Sequence, residues 1–297
     1  MAKPVVFVIG ASGFVGSATV RALAEKYADK VEIRAGVRQP DKADKLKNIV
    51  GVTVVQATMG DNESLKGILN GVDALYIVTP GAENCSQLAI STAEAAKEVG
   101  VKHLMAVSVH VTVAKIGDTI LGAPYAEVED AITKLGVPFT ILRLPNFADN
   151  LWSHKRSIVG QGVITGARNP ERVSPQIVVE DAGKAGAAIL VDPSRHTGKT
   201  YELVSYCCSY NDVVKCFSEA LGREIKYNRI SVEDMKQRLL VVRLPQWQSD
   251  GLLELLKLEI EDSSSTSQLN LSDCETITGE KPTTLKAWIE KNVSGFQ

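Results

Sequence analysis

VFVIGASGFVGSATVRALAEK (residues 6–26) joins an apolar strand to a helix through three glycines. Residues 5–9 are apolar and rich in β-branched side chains, the composition of a parallel strand buried on both faces. Gly10, Gly13 and Gly16 follow at intervals of three, and Phe14 to Lys26 carries a helical apolar pattern. Glycine permits a tight turn, a close approach of backbone to ligand, and close helix–strand contact. The first turn of such a helix presents unpaired N–H groups to a pyrophosphate. Because the spacing alone also occurs in ordinary strand-to-helix turns, the neighbouring segments must carry the assignment.

Outward from this turn, strand and helix signals alternate. Strands are expected at 31–37, 52–57, 73–78, 103–109 and 137–144. Helices are expected near 41–49, at 61–69 behind an Asp61 cap, from about Cys85 to Val99, and over 124–135. Repeated strand–helix–strand units of this length predict an α/β fold, a doubly wound parallel sheet of Rossmann type. After residue 150 the rhythm changes. Short strand segments (162–166, 174–179, 198–204, 224–230) are interleaved with helices at 180–191, 210–221, 249–261 and 284–291, and residues 261–270 read as a polar loop. Ser231 and Asp234 have the spacing of a capping box with Asp at its third position, and Ser272 and Glu275 have the standard one. The expected organisation is a dinucleotide-binding domain over 1–150. A smaller, mostly helical substrate-covering region over 151–297 returns some segments to the main sheet and folds over the crevice without a core of its own.

Composition narrows the function classes. The 297 residues are 44% hydrophobic and 23% charged, with Lys+Arg 33 against Asp+Glu 35. A net charge of −2 gives no basic surface for a nucleic-acid backbone. Lys42, Lys45 and Lys47 are interspersed with Asp41 and Asp44, the pattern of a solvated helix face. No apolar run approaches the roughly 20 residues of a membrane helix, and no signal peptide is read at the N-terminus. The five cysteines are scattered, without a C-x-x-C pair. They read as reduced thiols in a cytoplasmic protein, with no metal site expected.

The end of the second strand selects the cofactor. An NAD site places Asp or Glu there for the ribose 2′-OH. Here the segment is Ala35-Gly36-Val37-Arg38-Gln39-Pro40, with no carboxylate and with a guanidinium suited to a 2′-phosphate. The expected cofactor is therefore NADP(H). Thr79 and Pro80 follow the fourth strand, and Ser108 and His110 end the fifth, at the carboxyl edge where a dinucleotide lies in this architecture.

GASGFVG (10–16), AGVRQPDKA (35–43), Tyr125-Ala-Glu-Val-Glu129 and GVPFTILRLPNFADN (136–150) form an ordered series. GKTYEL (198–203), ALGREIKY (220–227) and ITGEKP (277–282) continue it nearly to the end of the chain. The series resembles the NmrA-like family of atypical short-chain dehydrogenases, which includes NAD(P)H-dependent quinone reductases and redox-sensing regulators. Many relatives carry His in place of Tyr125. The resemblance implies a doubly wound NAD(P)-binding sheet with a small substrate-covering C-terminal part. Expected cofactor contacts are Gly10, Ser12, Gly13, Phe14, Val15 and Gly16 of the turn. Arg38, Thr79, Pro80, Ser108 and Phe147 add to them along the crevice.

Typical short-chain dehydrogenases use Tyr-x-x-x-Lys, and Tyr125-x-x-x-Glu129 has the spacing with the wrong charge. A carboxylate there would disfavour the tyrosinate, unless Glu129 is simply a surface group on its helix. Lys115, in a loop, cannot be assigned the missing role. Quinone reduction demands less: hydride passes to an electron-poor ring, and positioning supplies most of the acceleration. Tyr125 and His110 are the candidate proton donors, and Phe147 and Asn150 are candidates to shape the pocket. The expected activity is NADPH-dependent reduction of a quinone or related small electrophile. The alternative is a non-catalytic NADP(H)-sensing regulator that contacts a protein partner.

Overall fold

The computed structural model describes residues 2–111, 114–261 and 271–297. The polar loop expected at 261–270 lies, from 262 onward, outside the described residues. The first half runs β1 (Val5–Ile9), α1 (Phe14–Tyr27), β2 (Glu32–Val37), α2 (Asp44–Lys47), β3 (Val52–Gln56) and α3 (Asn62–Leu69). It continues with β4 (Ala74–Ile77), α4 (Cys85–Glu98), β5 (His103–Val109), α5 (Ala123–Lys134) and β6 (Phe139–Leu144). Next come β7 (Asn146–Phe147), α6 (Lys155–Gln161), β8 (Val163–Gly166), β9 (Ser174–Ile177), α7 (Val179–Val191) and β10 (Lys199–Glu202). The chain ends with β11 (Tyr206–Cys208), α8 (Tyr210–Leu221), β12 (Lys226–Arg229), α9 (Val232–Val242), α10 (Gln246–Glu261), α11 (Asp273–Thr278) and α12 (Leu285–Asn292).

The central sheet has seven strands in the order β3-β2-β1-β4-β5-β6-β10, every neighbouring pair parallel. The order reverses between β1 and β4, the switch point outside which ligands bind in open α/β sheets. Both faces are covered, which is why the strands are continuous apolar runs; all four residues of β4 are buried. One face packs under α1 and α7 around Val8, Leu23, Ile33 and Leu190. The other packs under α3, α4 and α5 around Phe7, Leu69, Leu104 and Ile132. The alanine-rich α7 approaches α1 so closely that a Cβ at Gly183 would lie 2.6 Å from Ala18.

The C-terminal part departs from expectation in several respects. It has a core of its own, with Ile158, Ile164, Phe217, Trp288 and Phe296 buried together. Two small sheets frame it, β11-β9-β7 and β12-β8. The strands β7 and β11 were not expected from the sequence, and α10 begins at Gln246, earlier than the expected 249. Ser231 caps α9, whereas Ser272 makes no capping hydrogen bond to α11. The full capping box is at Ser209 and Asp212, opening α8. Buried Asp181 on α7 accepts from Ser205 Oγ at 2.7 Å and from the Thr283 amide at 2.8 Å, tying the last segment of chain to the helix that covers the sheet.

Candidate active site

The three glycines of the first turn have different tasks. Gly10 has a φ of +81°, and a Cβ there would lie 2.4 Å from the Val78 carbonyl oxygen. A Cβ on Gly16 would lie 2.4 Å from Gly10 O, so the turn itself requires glycine at both places. Gly13 has an ordinary φ of −78°, and its Cβ would come no closer than 3.4 Å to Gly10 O. The surrounding protein places no close contact on Gly13, unlike Gly10 and Gly16. Gly13 is the N-cap of α1 and offers no side-chain cap, and the first turn carries no acidic residue. The Gly13 amide itself donates to Gly10 O at 3.0 Å, and no side chain caps the amides that follow it at the start of α1. Phe14 is 75% exposed at the lip, and Ser12 is exposed. Val15, by contrast, is packed in the core, which leaves only its backbone for a ligand.

Arg38 is exposed at the end of β2 and has no ion pair among the described residues. At the end of β4, Thr79 Oγ1 is buried without a properly formed hydrogen bond, although it lies beside the Tyr125 phenol. Burial pushes the Tyr125 pKa up, and the nearby Thr79 hydroxyl opposes that more weakly. Tyr125, Pro80 and Val109 share the wall of a cavity of about 320 Å³. Its far wall is formed by Leu244, Trp247, Gln248 and Leu252, none of which sequence reasoning singled out. They arrive there through tertiary packing. A Cβ on Gly251 would lie 2.5 Å from Leu121, and Glu254 Oε2 accepts from the Ile120 amide at 2.7 Å. Trp247, two residues after Pro245, is the one local signal that could have drawn attention to this segment.

Glu129 is not the surface carboxylate that its helix position suggested. Its side chain is 13% exposed and grips Arg143 with both oxygens, at 2.8 and 2.6 Å. Ser108 Oγ donates to the same carboxylate at 2.6 Å. Its charge is matched by Arg143, and burial, not Glu129, is the main cause of the raised Tyr125 pKa. Ser108 and Arg143 are register partners across β5 and β6, and Glu202 of β10 is the next partner along. Arg143 Nη1 stands 3.9 Å from Glu202, and His110 Nε2 stands 3.9 Å from the same carboxylate. His110 Nδ1 is buried with no hydrogen-bond partner. Burial holds its pKa below the ordinary value; Glu202 opposes this and Arg143 adds to it.

The structure therefore brings Tyr125, Thr79 and Pro80 together but separates His110 from them, since His110 does not line the Tyr125 cavity. Phe147 and Asn150 line a second, polar cavity of about 120 Å³ with Asn146, Gln176 and Tyr206. Lys115 is exposed and has no ion pair among the described residues. Among those residues no group of three or more His, Cys, Asp or Glu could hold a metal, and the cysteines are free. Among the described residues no helix is long and apolar enough to cross a membrane.

The model of the NmrA-like family matches residues 2–289. An NAD(P)H azoreductase of Xenophilus azovorans is 28% identical over 258 residues, covering 86% of this chain and 88% of its own. Quinone oxidoreductase 2 of Escherichia coli strain K12 is 28% identical over 254 residues, 84% of each chain. The structure of that NADPH-dependent quinone oxidoreductase with NADPH bound is similar with a TM-score of 0.81, at 24% identity over 97% of this chain and 99% of that one. The negative transcriptional regulator NmrA, solved with NADP, has the same fold at a TM-score of 0.79, with 18% identity over 98% of this chain and 95% of that one.

Proposed function

Since this chain belongs to the NmrA-like family, we propose that it is an NADPH-dependent oxidoreductase that reduces quinones or related small electrophiles. The observation that carries this reading is the cavity of about 320 Å³ beside Tyr125, at the carboxyl ends of β4 and β5, where the nicotinamide half of a dinucleotide belongs in this architecture. A protein that only sensed the dinucleotide would not need that space.

The residues fit the cofactor. The α1 amides and open Gly13 suit a pyrophosphate, Arg38, without an ion pair among the described residues, suits a 2′-phosphate, and the buried Thr79 hydroxyl beside Tyr125 suits a polar group in the crevice. Exposed Phe14 can cover the bound dinucleotide. When bound, NADPH supplies the hydride that, with one proton, converts a quinone to its hydroquinone and leaves NADP⁺. Tyr125, kept protonated by burial, donates a hydrogen bond toward the acceptor oxygen. With Glu129 locked to Arg143, no cation stands four residues beyond Tyr125 to lower its pKa. The chain therefore acts chiefly by holding two rings in contact and excluding water. The fold of the transcriptional regulator keeps the sensing alternative in play.

Anaerobic stopped-flow of the purified protein with NADPH and a panel of quinones tests the choice. Saturable NADPH oxidation is expected. Tight NADPH binding with no oxidation above the protein-free rate would replace the enzyme with the sensor.

A further inference from the structure

We infer that the cavity under α10 selects uncharged, flat, fused-ring acceptors, with Trp247 as the surface on which the ring lies. This inference rests on the oxidoreductase reading and adds the chemical class of its acceptor. No Asp, Glu, Lys or Arg is among the described residues that line the cavity. The groups that face it are aliphatic, apart from the aromatic Trp247 and Tyr125, the Gln248 amide and the Cys85 thiol. Burial holds that thiol's pKa above the ordinary value, so it too is neutral.

A volume of about 320 Å³ is at the lower end of pockets that take drug-sized ligands, enough for more than a single ring. A fixed charge entering it would lose its water and find no opposite charge, which is costly in a medium of low polarity. An aromatic acceptor instead buries apolar area against the indole and finds neutral donors in the Tyr125 hydroxyl and the Gln248 amide. Gln248 has little to release, because its Nε2 makes only a long 3.4 Å contact to Gly81 O.

The test compares 1,4-naphthoquinone with its 2-sulfonate. Sulfonation makes the ring more electron-poor, so intrinsic reactivity alone favours the sulfonate and the cavity alone favours the parent. The expected kcat/KM for the sulfonate is at least about tenfold lower than for the parent, and Trp247→Ala raises KM for the parent by about tenfold or more, the range of a lost ring contact. Leu252→Lys, at a partly exposed wall position, is expected to improve the sulfonate relative to the parent. Normal NADPH oxidation with the sulfonate as good as the parent, and with Trp247→Ala unchanged, overturns the acceptor site while leaving the oxidoreductase intact. If no quinone is reduced at all, naphthoquinone binding to the NADP⁺-loaded protein is read by calorimetry. Binding lost in Trp247→Ala supports the cavity's selectivity without the activity, and binding absent or unaffected by that variant overturns it.

Discussion

Glu129, four residues after Tyr125 on α5, holds Arg143 of β6 in a two-pronged pair at 2.8 and 2.6 Å. A lysine at 129 would face that guanidinium and lose the Ser108 bond. Glu129→Lys, although it restores the Tyr-x-x-x-Lys spacing, is therefore expected to destabilise the fold by about 2–4 kcal/mol, somewhat below a fully buried broken pair because Arg143 is partly exposed. Carbonyl reductase activity should not emerge. Chemical denaturation of Glu129→Lys beside Glu129→Gln measures the effect; a lysine variant as stable as the wild type would show that the pair is incidental.

Arg38 has no ion-pair partner to lose among the described residues. Arg38→Ala should leave the melting temperature unchanged and weaken NADPH binding by about 1.5–3 kcal/mol, the range of a hydrogen bond to a charged group. NADH binding should be almost unaffected. Calorimetry with both cofactors decides, and equal losses would mean that Arg38 does not read the 2′-phosphate.

The glycine turn yields a paired prediction. Gly13→Val should fold normally, because its Cβ meets nothing closer than 3.4 Å, yet bind NADPH far more weakly. Gly16→Val should lose stability itself, because its Cβ would collide with Gly10 O at 2.4 Å. Thermal melts and cofactor titrations of both variants separate the two roles. A folded Gly13→Val protein with unaltered NADPH affinity would remove the binding turn.

What the sequence made legible follows from how far apart the interacting residues lie. The parallel strands were readable because burial on both faces writes a continuous apolar run, as in β1 and β4. The two-residue β7 and three-residue β11 carry too few side chains for any period to register. Glu129 resembled a surface residue because its partner is set by the pairing of Ser108 with Arg143 across strands, information absent from helix spacing. Trp247 reaches the cavity only because Gly251 lets α10 settle on Leu121. Neither contact has a local signature.

Acid should unfold this protein early. Burial lowers the pKa of His103, His110, His154 and His196, and takes His103 from 6.5 to about 4. A histidine whose folded pKa lies below its unfolded one is protonated more readily in the unfolded chain. Its contribution is complete above about pH 6.5 and is lost progressively as the pH falls toward 4. For His103 the loss is on the order of 2–3 kcal/mol. Asp149 and Glu259, raised by burial, oppose this trend, so the informative comparison is of slopes. His103→Gln, able to keep a hydrogen bond to Thr140, should flatten the stability curve between pH 6.5 and 4. Parallel curves for variant and wild type would assign the acid sensitivity elsewhere.

Tyr125 is the remaining candidate proton donor in the cavity, and its position argues for a modest role. A positioned acid whose pKa matches the reaction contributes about 10²–10⁴ in rate. The Tyr125 pKa instead moves upward, away from neutrality, driven by burial, and Arg143 is committed to Glu129. A quinol oxygen is also weakly basic, so water can protonate it without limiting turnover. Tyr125→Phe should therefore cost less than about tenfold in kcat with a quinone, the equivalent of under ~1.4 kcal/mol in barrier. The phenylalanine keeps the ring against Pro80 and Val109, so the cavity wall is preserved. Steady-state turnover at saturating NADPH measures the difference. A loss of a hundredfold or more, with KM and melting temperature unchanged, would make Tyr125 the proton donor and replace positioning with acid catalysis as the main source of rate.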